Sequence, residues 1–125
     1  MKPGDSATVS RAFSAQDALD YATLAGLSAP PAITPEPLIS GLFSYLLGVK
    51  LPGRGTNYLK QSLLFHRPVA LDQRIVAHVT VTRLRPEKHL ADLATKAFDD
   101  SGNLVCEGRA LVYTADVNFS PSPAH

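Results

Sequence analysis

Hydrophobic spacing divides this chain into a helical stretch flanked by an early strand and a long run of period-two alternation. Residues 6–13, Ser-Ala-Thr-Val-Ser-Arg-Ala-Phe, alternate as a first strand does. Ser14 then stands three residues before Asp17, the spacing of a capping box. Apolar residues at Ala18, Leu19, Tyr21, Ala22 and Leu24 suit a short amphipathic helix over 15–24, and Gly26 suits its stop. A Pro-rich linker, Leu27 to Ile33, follows. Thr34-Pro35-Glu36 reads as a second helix start: a hydroxyl cap, a proline where a missing N–H costs nothing, and an acid facing the positive end of the dipole. Pro37 still falls in the first turn.

Leu38, Ile39, Leu42, Phe43, Tyr45, Leu46 and Leu47 cover most of that second helix, with Ser40, Gly41 and Ser44 as small breaks and Gly48 as its end. A short helix apolar nearly all round is expected to be buried. Turn chemistry in Leu51-Pro-Gly-Arg-Gly-Thr56 leads to a strand over 57–65. Three further strands are expected over 74–83, 89–98 and 104–114, with the tightest hairpin signal at Asp99-Asp-Ser-Gly-Asn103. Helices followed by a run of strands predict an α+β layer design and not a parallel sheet. One apolar helix and several long strands are reconciled most simply if an antiparallel sheet wraps around a central buried helix. Wrapping leaves the outer face of the sheet in need of cover, which points to a dimer.

Composition narrows the picture further. A chain of 125 residues with 45% hydrophobic residues is expected to form one domain over 1–125, with 116–125 a frayed tail. A net charge of +1 and 18% charged residues give no support for binding nucleic acid or an anionic membrane. The N-terminus lacks the apolar core of a signal peptide, so a cytoplasmic location is expected. Cys106, the single cysteine, sits in a strand pattern and reads as a packed, inert thiol. His66, His78, His89 and His125 are scattered and show no metal-ligand spacing, so no metal is expected.

Several unlike elements then occur in a telling order. Leu42-Phe-Ser-Tyr-Leu-Leu-Gly48, Leu51-Pro-Gly-Arg-Gly-Thr56, Tyr58-Leu-Lys-Gln-Ser-Leu-Leu-Phe65 and the corner Arg67-Pro68-Val69 together resemble the MaoC-like dehydratases, the (R)-specific enoyl-CoA hydratase group of hotdog-fold proteins. The resemblance runs from about Ser6 to Val112. It implies a hotdog fold, an acyl thioester of coenzyme A or a carrier protein as ligand, no cofactor, and a homodimer or a heterodimer with another hotdog subunit.

In that family an aspartate and a histidine, in a segment of the type Ser-Gly-Asp-x-Asn-Pro-x-His, activate water for addition to an enoyl thioester. A backbone N–H at the start of the buried helix, next to a His-Gly pair, holds the thioester oxygen. Here Ala25-Gly26-Leu27 stands in place of Ser-Gly-Asp, and six positions later the chain is already at Ile33. Pro35-Glu36 stands where the His-Gly pair would be. Neither catalytic residue carries over, so the catalytic group is unknown, with Glu36 at the helix tip as the candidate base. The substrate-binding candidates are Pro35, Glu36, Pro37, Leu38 and Tyr58, with Arg54 and Arg67 for the phosphates of coenzyme A. Ser40 and Ser44 lack a histidine–acid pair and read as packing residues.

Two alternatives follow from the same residues. The chain could be a non-catalytic subunit or assembly partner of a complete hydratase. A thioesterase ranks below that, because no acidic residue follows Glu36 on the buried helix.

Overall fold

The computed structural model describes residues 1–115. The expected tail, 116–125, lies outside them. The elements run β1 (Ser6–Ala12), α1 (Ala15–Ala25), α2 (Glu36–Tyr45), a π-helical turn (Leu46–Lys50), β2 (Asn57–Phe65), β3 (Arg74–Arg85), a 3₁₀ turn (Pro86–Lys88), β4 (Leu90–Asp99) and β5 (Leu104–Tyr113). Every expected element is present, with its ends displaced by at most a few residues. Among the described residues no helix is long and apolar enough to cross a membrane.

Local chemistry explains α1. The Ser14 hydroxyl accepts from the Asp17 N–H while the Asp17 carboxylate accepts from the Ser14 N–H, so the capping box closes in both directions. Gly26 ends the helix at φ 72°, ψ 26°, a left-handed conformation that glycine adopts without a Cβ penalty.

All five strands join one antiparallel sheet in the order β1-β3-β4-β5-β2. β3, β4 and β5 form a meander, as their close hairpins require. β2 does not pair with β3, which follows it in sequence. It crosses to the far edge and pairs with β5, from Asn57 opposite Tyr113 to Phe65 opposite Cys106. The sheet curls, and its inner residues (Ile75, Ala77 and Val79 on β3; Leu93 and Ala97 on β4; Cys106, Ala110 and Val112 on β5) pack against Ile39, Phe43, Leu46 and Leu47. This is the wrapped α+β arrangement of a hotdog fold.

Three expectations change. α2 buries Ile39, Leu42 and Phe43, but Gly41, Ser44 and Tyr45 are exposed, so it is buried on one face only. Gly48 does not end it; the helical path continues as a π turn to Lys50, which keeps Leu46 and Leu47 in the core. The outer face of the sheet is mostly polar, since it carries His78, Lys96, Glu107 and Arg109 at the positions that alternate with the core, with Leu64 exposed beside Glu107. Exposed apolar side chains stand on α1 and the linker after it (Leu19, Leu24, Leu27, Ile33), and on α2, the π turn and β2 (Tyr45, Val49, Tyr58, Leu59, Leu64).

Candidate functional site

The start of α2 is pinned by the segment after β2. The Thr34 N–H donates to the Val69 carbonyl at 2.8 Å and the Thr34 hydroxyl to the Ala70 carbonyl at 3.1 Å. That hydroxyl therefore does not cap the helix, contrary to the sequence reading. Pro35 takes the cap position with no side-chain bond, and Pro37 lies in the first turn. Neither proline has an N–H to offer. The Leu38 N–H donates to the Pro35 carbonyl at 3.0 Å. Among the described residues, the Glu36 N–H is the one donor of this first turn that is left for a ligand.

A groove with a volume of about 360 Å³ opens beside that tip. Val9, Arg11 and Phe13 of the β1 side form one wall; Pro37, Leu38, Gly41, Leu42 and Tyr45 form the other. Its existence follows from residue size. Gly41 leaves the middle of the helix face bare, and a Cβ there would meet nothing within 4 Å. The Arg11 guanidinium lies 4.5 Å from the centroid of the Phe13 ring and 3.5 Å from Asp17, so one cation stands at the rim, partly offset. Sequence reasoning missed this wall. The available signal was parity: Val9, Arg11 and Phe13 share one face of the strand with residues that pair toward the core.

The opposite flank of α2 carries Glu36, Ser40 and Ser44 at i, i+4 spacing. Burial pushes the Cys106 thiol up to about 11, and the nearby Glu36 carboxylate adds to that rise. Cys106 is thus an inert core thiol. Further along, burial raises the Tyr58 phenol, and the nearby Ser44 side chain works against that rise. Tyr58 stays protonated near neutrality and can donate a hydrogen bond.

The seven candidate positions do not converge. Pro35, Glu36, Pro37 and Leu38 form the tip, and Tyr58 lies along the helix from it. Arg54 follows Gly53, whose N–H bonds the Leu47 carbonyl at the far end of the helix. Arg67 lies near Asp99, whose carboxylate is held low mainly by the Asn103 N–H, then by the Asn103 side chain and Ser101 N–H, with Arg67 contributing least. The helical path from 36 to 50 separates the two arginines by about 20 Å, so within one chain they cannot grip one phosphate group. His66 pairs with Glu107 at 2.8 Å, His78 stacks edge-on with Phe98 on the outer face, and His89 sits in the turn before β4. Chemically, the tip offers one amide donor and one carboxylate beside an apolar trough. That arrangement suits a carbonyl compound with a short chain.

The chain is 36% identical over 126 residues to the (R)-specific enoyl-CoA hydratase of Aeromonas caviae, covering 90% of this chain and 94% of that relative. It is 32% identical over 126 residues to the (R)-specific enoyl-CoA hydratase of Rhodospirillum rubrum, covering 90% and 87%. The solved (R)-hydratase from A. caviae involved in PHA biosynthesis superposes with a TM-score of 0.83 at 35% identity, covering 90% of this chain and 96% of that one. No protein-family model matches the chain.

Proposed function

Since this chain belongs to the (R)-specific enoyl-CoA hydratase family, we propose that it binds an acyl thioester at the α2 tip, with the acyl chain in the trough between β1 and α2. The single observation that supports this most is the free Glu36 N–H beside a groove of about 360 Å³ walled by Val9, Phe13, Leu38 and Leu42. A thioester oxygen accepting from that N–H at a positive helix end would be polarised as the chemistry requires. Pro35 and Pro37 shape the approach to it. Tyr58 and one of the two arginines serve the carrier end.

Glu36 is then the one proton-transfer group at the tip among the described residues, and water addition to an enoyl thioester would rest on its carboxylate alone. One group doing the work of two predicts slow hydration beside intact binding.

Butyryl-CoA, which cannot be hydrated, tests binding by calorimetry. Crotonyl-CoA tests turnover by loss of the enoyl absorbance. Micromolar to millimolar binding of butyryl-CoA is expected, with hydration that Glu36→Gln abolishes. No binding of either thioester would overturn the reading.

A second reading has its own support. Tyr45, Val49, Tyr58, Leu59 and Leu64 are all exposed along α2 and the β2 edge, and β2 has one unpaired side. A second hotdog subunit docked there would cover them, whether another copy or a complete hydratase. Binding without turnover, with hydration appearing only on mixing with a complete hydratase subunit, would favour this assembly role.

A further inference from the structure

Charge is distributed unevenly between the two faces of the sheet. Lys60, Arg74, Arg83, Arg85, Lys96 and Arg109, half of the chain's twelve cations, alternate outward from the core. Among the described residues only Asp92 and Glu107 accompany them there, and both are engaged: Asp92 with Arg85 at 2.8 Å, Glu107 with His66 at 2.8 Å. Lys60, Arg83, Lys96 and Arg109 have no ion-pair partner among the described residues.

These free cations surround small and half-buried residues. Lys60 and Arg109 line a depression of about 430 Å³ together with Ser62, Leu111 and Asp92, whose carboxylate is already paired with Arg85. His78 and Lys96 flank another of about 340 Å³ over Thr80, Ala94 and Phe98. Arg109 lies opposite Ala94, and Lys96 opposite Glu107, so the two depressions adjoin across β4 and β5.

We propose that the outer face of β3-β4-β5-β2 docks a partner protein that presents a carboxylate-rich helix or ridge. Charge complementarity selects that occupant. A second copy of this chain would bring the same cations against themselves. A nucleic acid or an anionic membrane would be drawn by net charge, which is only +1, and would not use the apolar side chains of Phe98 and Leu111. The face lies across the sheet from the α2 trough, so this partner is bound independently of the thioester reading.

A synthetic sixteen-residue amphipathic helix with glutamates at i, i+4 and leucines between serves as the probe, followed by fluorescence anisotropy in 50 mM salt. The triple variant Lys60→Gln, Lys96→Gln, Arg109→Gln should weaken its binding about tenfold, the sum expected of three exposed ion pairs. The double variant Lys50→Gln, Arg54→Gln, which removes cations away from this face, should change it less than twofold. An unaltered thermal midpoint shows that both variants are folded. Absence of binding, equal weakening in both variants, or tighter binding to a sixteen-base-pair DNA duplex or to anionic phosphatidylserine vesicles would each overturn the proposal.

Discussion

Gly108 of β5 lies so close to Ser62 of β2 that a Cβ on residue 108 would overlap the Ser62 carbonyl and crowd the Leu63 Cα. The obstacle is backbone, which has no rotamer to move aside. This close approach lets β2 curl over the end of the sheet and pair with β5 along its length. Gly108→Ala is therefore expected to destabilise the fold by about 1–3 kcal/mol or more, since overpacking against backbone forces the strands apart. Urea titration would measure it. An unchanged midpoint would mean that β2 is not held against β5 as described.

Thr95 of β4 is fully buried, and its hydroxyl finds no partner among the described residues. An unbonded buried hydroxyl costs about 1–3 kcal/mol, and valine has nearly the same shape without it. Thr95→Val should raise stability by about 1 kcal/mol. A loss of stability instead would reveal a bonded water or ligand at that hydroxyl.

Gly41 faces the trough with open space where a side chain would stand. Gly41→Leu should stabilise α2 by about 0.5–1 kcal/mol through helix propensity while filling the trough. Butyryl-CoA affinity should fall at least about tenfold, a loss of about 1.4 kcal/mol or more. Retained affinity in a stable variant would send the acyl chain to the Ser40/Ser44 flank.

Acid sensitivity follows from two aspartates. Asp17 is held below the usual carboxylate range by the Ser14 N–H first and then by the Ser14 hydroxyl and Arg11; Asp99 is held low by the Asn103 N–H first. A lowered folded value means that the charged form is favoured in the folded state. The stability so contributed is present above the ordinary carboxylate value of 3.8 and is lost as pH falls through the lower folded value. The thermal midpoint should drop below about pH 4. An Asp17→Asn, Asp99→Asn variant should be less stable at neutral pH and show a flatter acid limb. An acid limb as steep as that of the unaltered protein would exclude these two groups as its cause.

The exposed apolar strip makes a prediction about assembly. Leu59→Glu, at a position half exposed on the β2 edge, should leave the fold intact but shift the species seen by light scattering toward monomer. A monomer before and after the substitution would remove the argument for a subunit at this edge.

Much of the fold was legible because it is local. The Ser14/Asp17 box, the Gly26 stop and the alternation of β3, β4 and β5 each depend on neighbours a few residues away, and all appear as read. The candidate site was legible only in part. Pro35 to Leu38 are consecutive on a helix tip, so proximity was guaranteed. Arg54 and Arg67 flank the same strand in sequence, yet its length carries them to opposite ends of α2. Thr34 looked like a cap because its type and position fit one, but the Ala70 carbonyl, far along the chain, claimed its hydroxyl.

By itself, the amino-acid order determined which helices and strands form, their extents to within a few residues, and the wrapped α+β class. Periodicity and capping are short-range terms, written in the residues that obey them. Tertiary structure alone decided that β2 crosses to β5, that α2 keeps one face open to a trough shared with β1, and that the outer sheet face gathers half the cations. Those outcomes depend on which distant segments close on one another. That choice is made by the summed packing of the whole sheet, and no local stretch of the chain encodes it.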